Sequence, residues 1–343
     1  MTTQASAKTA RNQTMECCKL LAAVLVVFLH TPFPGAAGKT VNCLARVAVP
    51  LFFAISGWFS FQAGPDRLRR RFFRTLLLEA AGIGISVLWR CCLTVYYGGS
   101  LWEQLCGLIP GREAVMQWVL WNVDPFAGHL WYLSAAAACY GVLWLYTLVF
   151  RGAQTNYRPL YVISGILLAA HFAMANFSRF TGVTAAFAVW RNAWFFGLPM
   201  FSMGIFLRQY RERILEKAGN KLGWILAFGV GLSLLERRVL GAYDLPVGMT
   251  AAVAALLLLA SAHPQIPERY GRARKAASRF GALSTAVYMI HLVVLEAYQT
   301  FAAWRLEAVL GSAEAWLRPV AVAALSIAAG ILWSGIRKAV KHK

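Results

Sequence analysis

Acidic residues are scarce in this chain: 14 Asp and Glu stand against 34 Lys and Arg, a net charge of +20, and charged residues fill only 14% of the 343 positions. A soluble domain carries about a quarter charged residues, so a solvated enzyme, a coiled coil and a disordered chain are all excluded. CxxC pairs and Cys/His clusters at metal-ligand spacing are also missing, so no metal site is expected. The seven cysteines, Cys17, Cys18, Cys43, Cys91, Cys92, Cys106 and Cys139, are odd in number and suggest no disulfide framework. A Cys43–Cys106 or Cys92–Cys106 bridge stays open. Gly82-Ile-Gly84 and Gly229-Val-Gly231 follow no strand, so neither is a phosphate loop. No repeat with a period of about 20–50 residues occurs, nor any pair of interrupted helices in corresponding halves.

What fills the chain instead is apolar: 59% hydrophobic residues and a mean hydropathy of +0.55. The expected fold class is an all-α integral membrane protein, a single transmembrane domain over residues 1–343. Ten apolar stretches are read as spans: 17–33, 44–63, 75–97, 127–150, 159–176, 193–208, 222–239, 247–262, 282–301 and 316–337. The basic residues alternate with them. Lys8, Arg11 and Lys19 precede or open the first span, Arg67, Arg69, Arg70, Arg71 and Arg74 follow the second, and Arg151 and Arg158 follow the fourth. Arg208 to Lys221, Arg269 to Arg279 and Arg337 to Lys343 complete the set. The positive-inside rule then places both termini in the cytoplasm and the chain in a cell membrane, the bacterial cytoplasmic membrane being expected. The charges sit in short loops, so nucleic acid is not an expected partner; the lipid bilayer is.

Lys8, Arg11, the run from Leu20 to Leu29 and Gly35-Ala36-Ala37 also resemble a secretory signal. Nine further spans make one redundant, and the first span is expected to be retained after a cytoplasmic tail over 1–15. The longest outer segment, 98–126, carries Trp102, Trp118 and Trp121 with Pro110, Gly111 and Pro125. It reads as a re-entrant or interfacial helix pair.

Polar residues inside the spans carry the functional information, because ionisable groups in lipid tend to face a cavity or a partner. Lys19 and His30 are eleven residues apart, which returns them to the same helix face about 16 Å apart along the axis. Glu16 lies one turn before Lys19 and is placed to pair with it. Arg46 opens the second span and needs an anion nearby. Pro50 frees a carbonyl and bends that helix, while Ser56 and Gly57 allow a ligand or helix to come close. At the same outer level stand His129, Trp131 and Tyr132, then Arg191 and Asn192, then Glu236, Arg237 and Arg238, with Tyr288 and His291 deeper in the ninth span. Together these argue for a polar outer cavity that binds the substrate. On the cytoplasmic side Arg71 and Arg74, one turn apart, are suited to the phosphates of a nucleotide-bearing donor. His171, His263 and His342 have no such company.

The run Glu16-x-x-Lys19-x10-His30 followed by Arg46-x-Ala-Val-Pro-Leu-Phe-Phe-x-x-Ser56-Gly57 resembles the start of the membrane acyltransferase type 3 family. That group of ten-helix proteins O-acylates cell-surface polysaccharides and includes the membrane domain of membrane-bound serine racemases. Arg71-x-x-Arg74, His129-Leu-Trp-Tyr132, Arg191-Asn192 with Phe196-Gly-x-Pro199 and Gly204, and Ser284-x-x-x-Tyr288-x-x-His291 match in order along nearly the whole chain. Lys19 departs from the Arg usual in the family, keeping the charge but losing bidentate geometry. The resemblance implies an acyl-CoA donor, usually acetyl-CoA, entering from the cytoplasm, and a carbohydrate or glycolipid acceptor at the outer side. His30 would be the general base; an unperturbed imidazole, near pH 6.5, suits that task. Lys19, Arg71, Arg74 and Ser56 would line the donor site. Depth alone suggests Arg46 or Arg191 for the oxyanion and Glu236 for orienting the imidazole. A covalent acyl-Ser56 route has no adjacent base. A transporter for a small polar or anionic substrate shares the polar cavity but needs no CoA, and so does a membrane sensor domain without turnover. Monomer and homo-oligomer stay open.

Overall fold

The computed structural model describes residues 12–150, 156–181, 187–241 and 245–341. Lys8, Arg11, Arg151, His342 and Lys343, and the side chains of Arg337, Lys338 and Lys341, lie outside the described residues. Within them every regular element is helical. In order these are α1 (Gln13–His30), α2 (Gly35–Ala45), α3 (Ala48–Trp58), α4 (Pro65–Tyr96), α5 (Leu101–Gly107), α6 (Arg112–Trp121), α7 (Trp131–Val149) and α8 (Arg158–Thr181). A π-helical turn, Ala193–Gly197, leads into α9 (Leu198–Gln209), then α10 (Arg211–Ala218), α11 (Leu222–Leu240), α12 (Val247–Ala262) and α13 (Gly271–Tyr298). A second π-turn, Gln299–Ala303, connects to α14 (Trp304–Leu310) and α15 (Glu314–Lys341). Seven helical stretches are long and apolar enough to cross a membrane. The expected sixth and eighth spans correspond to α9 and α12, whose 12 and 16 residues fall short on their own, and the ninth and tenth lie in one stretch, Glu268–Trp333.

The ends of these helices are written locally. Asn12 caps α1 by accepting from the Met15 amide, and Pro32 and Pro34 stop the helix just past His30. The second span begins earlier than its hydropathy suggests, at Gly35, and breaks between α2 and α3 at Arg46 and Val47. Pro50 explains the position of that break: its ring clashes with the carbonyl four residues earlier, which is that of Arg46, and it offers no N–H to bond it. Segment 98–126 forms the short pair α5 and α6, and Asn122 ends α6 in the left-handed region with φ 58°. The Asn122 side chain then accepts from the Ala193 amide at 2.8 Å, tying this segment to the first π-turn.

Lipid tails are as apolar as leucine, so helix association here depends on close packing. Two crossings are built on glycine. A Cβ at Gly57 would lie 1.8 Å from the Phe201 carbonyl oxygen, and one at Gly204 would lie 1.9 Å from that of Ala54, so α3 and α9 touch backbone to backbone. Gly229 and Gly248 do the same for α11 and α12, at 2.7 and 2.4 Å from each other's carbonyl oxygens. Gly204→Val is therefore expected to force α3 and α9 apart at a cost of about 1–3 kcal/mol or more. Thermal unfolding in detergent checks this against Gly84→Ala, where a Cβ meets nothing within 4 Å. All seven cysteines are free thiols, so neither proposed bridge forms: Cys43 is buried and Cys106 exposed.

Candidate active site

A pocket of about 400 Å³ opens at the end of the bundle that carries His30. It is lined by Val26, Leu29 and His30 of α1, Asn42 of α2, Arg46 at the junction of α2 and α3, Val49 of α3, and Gly128, His129 and Trp131 at the start of α7. Arg191 and Phe196 of the π-turn region and Tyr288 of α13 close it. Six residues singled out from the sequence, His30, Arg46, His129, Trp131, Arg191 and Tyr288, thus meet in one cavity. Each is placed by a local device. The stop after His30 leaves its ring accessible to the pocket, and the Pro50-induced break leaves Arg46 at the junction of α2 and α3. A 3₁₀ turn, Gly128–Leu130, presents His129 ahead of α7. The Tyr288 hydroxyl donates to the His129 carbonyl and fixes that turn against α13. The Arg191 guanidinium lies over the Trp131 ring at 5.5 Å, in cation–π range.

His291 lines no part of the cavity. It is 1% exposed, directly behind the pocket, with its ring centroid 5.1 Å from those of both His30 and His129. Tyr132 is also set back, packing on Phe53 at 4.7 Å and on Tyr288 at 5.5 Å. Two other expectations need correction. Asn192 is fully buried: its Oδ1 accepts from the Trp194 and Phe195 amides, and its Nδ2 donates to the Ala188 and Val189 carbonyls. It caps the π-turn and has no group left for a substrate. Asn192→Ala is expected to cost about 1–3 kcal/mol through the orphaned amides, seen as a lower melting temperature with unchanged ligand affinity in the folded fraction. Glu236 does not orient His30 either. Its carboxylate accepts from the Val247 and Gly248 amides at 3.1 and 3.0 Å, which caps α12, because an acidic side chain pairs favourably with a helix N-terminus.

The second polar region lies at the opposite end of α3. Lys19 pairs with buried Glu16 at 3.0 Å, as their spacing suggests, and sits over the Phe59 ring at 5.3 Å. Arg71 donates to the Ser60 hydroxyl at 2.8 Å and lies 5.9 Å from the centre of the Tyr140 ring. Arg208, at the end of α9, lies over Trp58 at 5.4 Å. Three cations therefore converge on consecutive residues, Trp58, Phe59 and Ser60. Arg74 is exposed one turn beyond Arg71. Arg208 was not evident as a site residue in the sequence, since nothing in its spacing relates it to Trp58; only the close crossing of α3 and α9 does. Asn42 was missed because α2 reads as a loop by hydropathy, although it stands four residues, one helical turn, before Arg46.

Between the two regions runs a continuous file of side chains. Tyr288 packs on Tyr132, Ser56 lies near the phenols of Tyr132 and Tyr140, and Tyr140 meets Arg71. Among the described residues no imidazole or carboxylate bonds Ser56, which leaves it without a base that would make it a nucleophile. Among the described residues no group of His, Cys, Asp and Glu is arranged to hold a metal ion.

An accessible imidazole, two guanidinium groups and aromatic walls in one cavity suit proton transfer from a hydroxyl next to a developing negative charge. No curated protein and no solved structure matches the chain. A family model does: the one described as an acyltransferase domain, acyltransferase type 3, covers residues 12–335. With the helices that carry both polar regions inside that match, this multi-pass membrane protein belongs to the acyltransferase type 3 family.

Proposed function

We propose that the chain transfers an acyl group, acetyl in the simplest case, from acyl-CoA to a hydroxyl of a carbohydrate or glycolipid of the cell envelope. The observation that carries this reading is the convergence of His30, Arg46, His129, Trp131, Arg191 and Tyr288 on one cavity, from helices far apart in sequence. The chain would cross a bacterial cytoplasmic membrane ten times, with the ends of α1 and α15 distant from the pocket in the cytoplasm. α9 with its π-turn and α12 would serve as short spans, and α13 and α15 as separate ones. This orientation is supported by the basic loops and puts the pocket at the outer face.

In the reaction, His30 takes the proton of the acceptor hydroxyl as its oxygen attacks the thioester carbonyl carbon. Arg46 or Arg191 stabilises the oxyanion that develops. The carbon–sulfur bond breaks, the CoA thiolate leaves, and the His30 imidazolium returns the proton to it, so that ester and CoA thiol are the products. The CoA phosphates would stay among Arg71, Arg74, Lys19 and Arg208, and the pantetheine arm would follow the file of Ser56, Tyr140 and Tyr132 towards the pocket. Trp131 offers a face for a sugar ring. The family match favours this reading over transport. Release of CoA thiol from acetyl-CoA by the detergent-purified chain, with methyl hexosides as acceptors, tests it. Turnover with formation of the acetyl ester is expected; none, from a chain shown to be folded, would sink the proposal.

A further inference from the structure

His291 belongs to neither the pocket lining nor the donor end, yet its environment is unusual for a packing residue. It is 1% exposed, and its Nδ1 lies 2.7 Å from the Tyr288 carbonyl oxygen. A carbonyl only accepts, so Nδ1 carries the proton and Nε2 is a lone-pair acceptor in the neutral ring. That Nε2 is buried and has no hydrogen-bond partner among the described residues. A buried acceptor without a donor is costly, about 1–3 kcal/mol, and natural proteins keep few of them.

Two rings are close enough to supply the donor, those of His30 and His129, each 5.1 Å away between centroids. His129 is disfavoured by its own bond: its Nε2 faces the Met289 carbonyl oxygen at 3.4 Å and so carries that ring's proton. His30 remains. Two imidazoles joined by an N–H···N bond of about 2.9 Å have centroids roughly 5 Å apart, so the observed spacing suits a direct bond, closed by a turn of the His30 ring.

We propose that His291 is the positioning residue of this site: its Nε2 accepts the N–H of the His30 imidazole and leaves the other His30 nitrogen as the lone pair facing the pocket. The inference rests on the acyl-transfer reading, in which His30 is the base. It gives His291 the part that depth in the membrane had suggested for Glu236. The Tyr288 carbonyl fixes the His291 tautomer, His291 fixes that of His30, and the same acceptor stabilises the imidazolium formed when His30 takes the proton. His291 itself stays neutral throughout, so the proton taken from the acceptor returns to the thiolate from His30.

The test compares H291F with H291Q in the full-length, detergent-purified protein, with acetyl-CoA and methyl hexosides. Phenylalanine keeps the ring volume without an acceptor, whereas the glutamine amide oxygen can stand near the position of Nε2. Expected is a fall in kcat of about 10–100-fold for H291F with KM for acetyl-CoA unchanged, and recovery of at least about tenfold in H291Q. A thermal melt and acetyl-CoA affinity report folding; if H291F does not fold, H291L replaces it. A kcat near wild type in the apolar variant, or no recovery in a folded H291Q, overturns the assignment. Absence of turnover in the wild-type protein overturns the acyl-transfer reading and this inference with it, which separates the two failures.

Discussion

Replacing His30 with alanine is expected to lower acyl transfer by about 10²–10⁴-fold, the usual worth of a positioned general base. The loss should fall on kcat, because the proposed donor end of the bundle is formed by other residues, around Trp58, Phe59 and Ser60. Folding should survive. The imidazole is accessible to the pocket rather than packed in the core, and α1 is anchored through buried Met15, Ala22, Ala23, Val26 and Val27 on its other turns. The check is thiol release from acetyl-CoA, measured beside acetyl-CoA affinity and a thermal melt. A folded variant with an ordinary rate would remove His30 as the base.

Loss of donor binding in an Arg71→Ala/Arg74→Ala double variant is the second large effect. A charge-assisted hydrogen bond to phosphate is worth about 1.5–3 kcal/mol, which is roughly 10–100-fold in Kd for each guanidinium. The two are not equivalent in the structure. Arg71 is half-buried and held by the Ser60 hydroxyl and the Tyr140 face, so its head group is oriented before any ligand arrives. Arg74 is exposed, free to follow a phosphate but also to pair with lipid head groups. Arg71→Ala alone should therefore account for the larger share of the weakening. Calorimetric titration of acetyl-CoA into Arg71→Ala, Arg74→Ala and the double variant, beside wild type, measures this. Equal affinity in wild type and double variant would remove the donor site from this end of the bundle and make transport the next reading to examine.

Much of the cavity was legible before the structure. Residues that are expensive in lipid, such as His30, Arg46, His129 and Arg191, were visible because a membrane chain keeps them only where they meet water, a ligand or one another. Depth in the membrane does not by itself give the direction in which a side chain points. Glu236 and Asn192 stand at helix ends at about the level of the pocket, but Glu236 bonds the first amides of α12 and Asn192 those of the π-turn it precedes. Residues at helix termini have that alternative, and no property of the sequence alone distinguishes it from a role in the cavity.

The sequence by itself determined the class of protein, the helical content and the chemistry available to it. Apolar runs bounded by arginines permit only helices in lipid, since each backbone N–H must be satisfied within its own segment. Pro32, Pro34 and Pro50 set where the first helix stops and the second breaks, through steric effects confined to a few residues. Which polar groups meet was decided by tertiary structure alone. Arg208 reaches Trp58 because glycines 57 and 204 let two backbones touch, and His291 stands behind His30 because α1 packs along α13. Such meetings depend on the rotation and crossing of whole helices. In lipid these are fixed by the fit of small and large side chains over many turns, and that fit is a property of pairs of helices, which no single stretch of sequence contains.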